Sequence, residues 1–149
     1  AQVREAGARI SLIGDGDIQA AISTCIHGNG IDVALGIGGS PEAVTTACAM
    51  AAMRGEIQCK LWPRDDSERR YAIDNGLDLG QVLTTRDLVD SDNTFFAATG
   101  VTRGPLLKGV RFGADHTVTH SVVMRSQSGT VRFIEAQHRV EWVEGEIKP

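Results

Sequence analysis

Residues 9–17 read RISLIGDGD and residues 32–42 read DVALGIGGSPE. Each is a short run of apolar, β-favouring residues that ends in a glycine-rich turn carrying acids. Between them, Ile18, Ala21, Ile22, Cys25 and Ile26 recur at the i, i+3, i+4, i+7, i+8 spacing of an amphipathic helix, which Gly28 and Gly30 stop. After the second turn, residues 41–53 predict another helix, with Pro41 at its first position. Its apolar residues nearly encircle the axis, so burial on most sides is expected. Gly55 is placed to cap its C-terminus. Strand, helix, strand and helix in this order predict an α/β fold with a mostly parallel sheet flanked by helices.

Outward from this core the signals are local. The chain opens at Ala1 inside a helix-like stretch, residues 1–6, which suggests part of a longer sequence. Residues 56–62 (EIQCKLW) read as a strand halted by Pro63. Asp65, Asp66 and Ser67 offer N-cap chemistry for a polar helix reaching Asn75 and Gly76. Residues 81–84 read as extended and residues 87–89 as a helical turn. Residues 94–99 (TFFAAT) read as a buried strand. Residues 118–125 and 130–136 read as two strands joined by a turn at Gln127, Ser128 and Gly129, so antiparallel strands finish the sheet. The tail from Glu141 is charged and expected to be loosely held. One domain, residues 1–149, is expected, with no linker, repeat or low-complexity segment.

Composition narrows the function classes. The chain is 42% hydrophobic, enough for a core, and only 5% aromatic. Fifteen basic against nineteen acidic residues give a net charge of -4, which argues against general nucleic-acid binding. No apolar run is long enough for a membrane span. Cys25, Cys48 and Cys59 are odd in number and widely spaced, so they read as small buried hydrophobes in a reducing cytoplasm.

The two turns are where chemistry fits, because ligands of open α/β sheets bind beyond the C-terminal ends of the strands. At Gly14–Asp17, two carboxylates stand two residues apart. They suit hydrogen bonds from sugar hydroxyls or help for a divalent cation, and Asp17 also suits a helix N-cap. At Gly36–Glu42, glycines precede a helix N-terminus whose N–H groups favour a phosphate. Glu42 falls in the first turn, where the helix dipole favours a carboxylate and where a hard oxygen ligand for Mg²⁺ or Mn²⁺ is equally in place. No Gly-Lys-Ser/Thr follows, so this is not a P-loop. His116 and His120 are four apart in strand-like sequence without an H-E-x-x-H pattern, which gives little support for a metal site. His138 reads as a surface or interface residue. Arg103 and Lys108 flank Gly104 and read as loop charges able to meet a phosphate.

Beyond these residues the chain resembles a known family. Asp15-Gly16-Asp17, the run from Gly36 to Glu42, Ser91-Asp92-Asn93, Ala98 to Thr102 with Gly104, Gly109-Val110, Thr119-His120-Ser121 and the stretch from Arg125 to Arg132 together resemble class II (GlpX-type) fructose-1,6-bisphosphatases. The similarity runs from about Gly7 to Val140 and corresponds to the C-terminal half of the family's sequence. Gly14 stands where the family often has proline or threonine, and Ala43 where it often has glycine.

The resemblance implies the sugar phosphatase (inositol monophosphatase-like) fold and hydrolysis of the 1-phosphate of fructose 1,6-bisphosphate in gluconeogenesis. It implies Mg²⁺ or Mn²⁺ as cofactor, a homo-oligomer when full length, and a cytoplasmic location. It implies that Asp15, Gly16, Asp17 and Gly39 contact substrate and that Glu42 is a metal ligand. The other metal ligands and any catalytic residue are expected in the N-terminal half, absent from this chain, so the chain alone is expected to be inactive. Other readings are a phosphatase for sedoheptulose 1,7-bisphosphate or an inositol phosphate, and a non-catalytic sugar-phosphate-binding module.

Overall fold

The computed structural model describes residues 2–139, 141–143 and 146–148. Its elements in chain order are α1 (Gln2–Glu5), α2 (Asp17–Ser23), α3 (Ser40–Met53), β1 (Gln58–Cys59), α4 (Asp66–Asp74), β2 (Leu83–Thr84), α5 (Thr85–Leu88), β3 (Phe95–Thr99), β4 (Arg111–Phe112), β5 (His116–Arg125), β6 (Thr130–Arg139), β7 (Glu141–Val143) and β8 (Glu146–Lys148).

The centre is β5, a ten-residue run rich in β-branched residues. It pairs antiparallel with β3 and β4 along one edge and with β6 along the other. Period-2 alternation puts Val118, Val122 and Met124 on one face, and all three are buried. Phe96 and Val131 stand opposite Met124 on the two flanking strands, which widens the apolar face. Against it lies α3, with Ala49, Met50 and Ala52 buried; Ile22 of α2, Leu106 and Leu107 complete the cluster. Alanines on the inner face let the helix axis approach the sheet closely, and Met50 fills the gap that remains.

Local chemistry explains the helix limits. α4 starts at Asp65, whose carboxylate accepts from the N–H groups of Ser67 and Glu68, each at 2.9 Å. α5 starts with a capping box in which Thr84 and Asp87 satisfy each other's backbone donors. The C-cap of α3 is Arg54, left-handed at φ 58°, one residue before the glycine expected there. Pro41 is the second helical residue, since α3 begins at Ser40.

Several expectations need correction. All strand pairs among the described residues are antiparallel, so the mostly parallel sheet is not formed by them. The runs at residues 9–13 and 32–36 carry no strand ladder and lie exposed. Their sequences favour strands, but a strand needs a neighbour for its N–H and C=O groups, and here those groups face solvent. The strand expected at residues 56–62 shrinks to Gln58–Cys59, because only β2 pairs with it. The first turn of α3 is exposed, so that helix is buried over its second half only. Within β3 only Phe96 is fully buried; Phe95 points to the other face, under the guanidinium of Arg125. The cysteines are free but half-buried. From Glu141 onward the chain forms the β7–β8 pair, while residues 140, 144, 145 and 149 lie outside the described residues.

Met124 is fully buried at the centre of the cluster. Met124→Ala should therefore cost about 2–5 kcal/mol, read as a lower urea midpoint at unchanged slope. A loss under about 1 kcal/mol would mean that this face is not the core.

Candidate functional site

The site is built from two helix starts. At α2 the N-cap is Gly16, held at φ 84° and ψ 39°, a left-handed conformation that favours glycine, and no side chain caps the helix. Asp17 is therefore not a cap, contrary to one reading of its position. Its carboxylate reaches instead to the second loop, where a Cβ on Gly38 would stand 2.9 Å from Asp17 Oδ2. At α3 the N-cap is Gly39, and the Glu42 carboxylate folds back over it so closely that a Cβ on Gly39 would collide with Oε2. Two carboxylates from two helices thus bracket consecutive glycines of one loop. Asp15 lies in the same exposed turn as Gly16 and Asp17, and Gly39 and Glu42 are exposed as well.

The backbone adds donors to this carboxylate pair. In the first turn of α3 the N–H groups of Ser40 and Glu42 have no intrahelical acceptor, and Pro41 has no N–H. Together with the helix dipole they favour an anion in front of Gly39. An anion there and two carboxylates beside it would repel one another unless a cation lies between them. The donors present are hard oxygens, which suit Mg²⁺ or Mn²⁺. Among the described residues, however, no three His, Cys, Asp or Glu side chains gather closely enough to hold a metal ion. Asp17 and Glu42, over adjacent glycines, are the carboxylates placed to meet such a cation.

A third loop packs on α2, the helix that begins at Asp17. Residues 101–110 leave β3 and fold back through bonds from Gly104 N–H to Leu107 O at 2.9 Å and from Val110 N–H to Val101 O at 3.1 Å. The loop rests on α2 so tightly that a Cβ on Gly104 would collide with the Gln19 amide. This sets Arg103 beside the helix that carries Asp17. Lys108, the other loop cation, is committed elsewhere: its ammonium donates to Glu135 at 3.2 Å, and Arg111 reaches the same carboxylate at 3.1 Å. Only the strand register, which sets β4 and β6 on either side of β5, brings these residues together.

The histidines take structural parts. His116 and His120 share a face of β5, but His116 pairs with Asp115 at 2.6 Å, while His120 stacks on Phe133 and accepts the Lys108 N–H. His138 meets the Thr119 hydroxyl at 2.9 Å on the surface, as its position suggested. No helix among the described residues is long and apolar enough to cross a membrane.

The geometry defines an α/β chain in which two carboxylates and a helix N-terminus surround one glycine loop. Comparison with known sequences narrows this class. The family described as bacterial fructose-1,6-bisphosphatase, glpX-encoded, matches residues 1–138, and the chain belongs to that family. It is 39% identical over 150 residues to the D-fructose 1,6-bisphosphatase class 2/sedoheptulose 1,7-bisphosphatase of Synechococcus sp. (strain JA-3-3Ab), covering 92% of this chain and 43% of that protein. It is 33% identical over 161 residues to the fructose-1,6-bisphosphatase 1 class 2 of Escherichia coli (strain K12), covering 99% of this chain and 48% of that protein. The chain thus spans about half the length of these curated relatives.

Two outcomes follow from the site's structure. Asp17→Asn should change stability by less than about 0.5 kcal/mol, because Asp17 is exposed and caps nothing, whereas Asp65→Ala should cost about 1 kcal/mol by removing a real cap. Equal losses in urea titrations would contradict this division of labour. The Glu135 carboxyl is held below its ordinary value of 4.5, first by the hydrogen bond from Lys108 and then by the charges of Lys108 and Arg111. A depressed carboxyl stabilises the fold above its unfolded pKa and loses that effect as pH falls through the folded value. Wild type and Glu135→Gln should therefore differ in urea midpoint above pH 4.5 and converge as pH drops below it, with a gap that shrinks in high salt.

Proposed function

We propose that this chain is part of a metal-dependent phosphatase that removes the 1-phosphate of fructose 1,6-bisphosphate, giving fructose 6-phosphate and phosphate, in gluconeogenesis in the cytoplasm. The observation that carries the reading is the convergence of the Asp17 and Glu42 carboxylates on the Gly38–Gly39 turn at the start of α3. Family membership and the names of the relatives support it.

In this reading the N–H groups of Ser40 and Glu42 donate to oxygens of the 1-phosphate, and Gly39 allows that phosphate to approach the backbone. Asp15 and Asp17 accept hydrogen bonds from sugar hydroxyls, which orients the ring and supplies proximity rather than bond-breaking. Glu42 serves as one ligand of a divalent cation, Mg²⁺ or Mn²⁺, whose part is to offset phosphoryl charge and acidify water. The remaining ligands belong to the half of the family sequence that this chain does not span. With that half in place, the fold we propose is the sugar phosphatase fold with a mostly parallel sheet, as a homo-oligomer.

Sedoheptulose 1,7-bisphosphate is a second candidate substrate, favoured by the name of the Synechococcus relative. Both substrates are ketose 1-phosphates with a second phosphate at the far end, so the same contacts serve either.

In a full-length protein carrying this chain, Glu42→Gln should lower phosphate release from fructose 1,6-bisphosphate on the order of a hundredfold with Mg²⁺ or Mn²⁺, at unchanged melting temperature. Wild-type turnover in the variant would remove Glu42 from the site. The ratio of kcat/KM for the two bisphosphates decides between the substrates.

A further inference from the structure

His120 sits where the 101–110 loop is fastened to the sheet, and it holds that loop through a bond that only one of its protonation states allows. The Lys108 N–H reaches His120 Nδ1 at 3.2 Å. A backbone N–H can only donate, so Nδ1 carries no proton and the ring is the neutral Nε2–H tautomer. Stacking on Phe133, with ring centroids 5.9 Å apart, keeps the imidazole in that orientation. The strand beneath is fixed separately, since the His120 carbonyl accepts from the Gly100 N–H at 3.0 Å.

Lys108 has a second hold. Its ammonium reaches Glu135 Oε2 at 3.2 Å, and Arg111 reaches the same oxygen at 3.1 Å. Glu135 stands directly opposite His120 in the β5–β6 register. Among the described residues, the charged groups facing the imidazole are thus Glu135 from β6, Lys108 from the loop and Arg111 from β4. The adjoining strand β3 carries no charged residue. On β5 itself, His116 shares the face but is paired with Asp115.

We propose that His120 is a proton-operated clasp on the 101–110 loop. A proton on Nδ1 sets two N–H donors against each other, so the bond from Lys108 is lost. The same proton adds a third positive charge beside Glu135, whose attraction is then divided among His120, Lys108 and Arg111. One protonation therefore weakens both holds on Lys108. The rest of the loop is kept by contacts that His120 does not touch: the bonds from Gly104 to Leu107 and from Val110 to Val101, and the buried Leu106 and Leu107. Release is therefore local to Lys108 and leaves Gly104 against Gln19. Imidazoles ordinarily titrate between about pH 5 and 8, the window in which a clasp of this chemistry works. The clasp rests on contacts outside the Asp17 and Glu42 turns and is independent of the phosphatase reading.

The test is an NMR titration of a full-length protein carrying this chain, from about pH 8 to about pH 5. At the alkaline end, the imidazole nitrogen shifts of His120 should report the Nε2–H tautomer. As pH falls, the Lys108 amide resonance should move with the midpoint of the His120 ring. Its exchange, referred to the unstructured-peptide rate at each pH, should speed up about tenfold, the scale of one lost hydrogen bond. The Gly104 and Val110 amides should not follow. His120→Asn puts a carbonyl oxygen that does not titrate where Nδ1 stood, so there the Lys108 amide should stay protected across the range. An Nδ1–H tautomer at the alkaline end would overturn the proposal. So would a ring that takes no proton in this range, or a Lys108 amide indifferent to the proton it takes. A Lys108 response that survives in His120→Asn would also overturn it and would move the trigger to Glu135 or His116. Should that variant fail to fold, the wild-type tautomer and the shared midpoint still decide.

Discussion

The place of the site in the molecule is set by the contact of α3 with the face of β5. Ala49, Met50 and Ala52 meet a surface made by Phe96, Val122 and Met124, and this sets both the depth and the axis of the helix. Side chains in such an interior are packed at crystal-like density, so the helix has little freedom to slide or roll. A helix fixed over its second half projects its first turn like a rigid arm. The exposed Gly39–Glu42 turn is therefore held by atoms on the order of 15 Å away along the axis. The apolar face of β5 has no part in the chemistry of the site but decides where that site is.

The carboxylates show a second constraint at shorter range. Asp17 and Glu42 come from different helices and reach two adjacent glycines, where an added Cβ would meet a carboxylate oxygen. Any larger residue at Gly38 or Gly39 would have to displace a carboxylate before a ligand arrived. The glycines thus act on the Asp17 and Glu42 side chains as well as on the backbone.

How much of this was legible in the sequence depended on how local each feature is. The α3 and α4 helices, the Asp65 cap and the β5–β6 hairpin follow from periodicity and turn chemistry, and all appear within a few residues of expectation. Glu42 was visible as a first-turn acid, but spacing left its role open; the family resemblance supplied one, and the geometry adds only its position over Gly39. The reach of Asp17 across to Gly38 depends on tertiary placement. So do the seat of Gly104 against Gln19 and the sharing of Glu135 by Lys108 and Arg111, and no window of sequence carries any of them. The two apolar runs failed as strands for the same reason in reverse. Their residues state a preference that only a neighbouring chain segment can fulfil.

The left-handed cap at Gly16 has an evolutionary side. Because the backbone of one glycine starts α2, Asp15 and Asp17 are relieved of any duty in helix initiation. Substitutions at the two flanking positions are then nearly invisible to folding and, in the function proposed above, are filtered by ligand recognition alone. A lineage can explore new side chains there, and with them new sugar preferences, without first accumulating reserve stability. Gly16 itself is the fixed point of that drift, since replacing it would put a side chain into a strained conformation and disturb both neighbours at once.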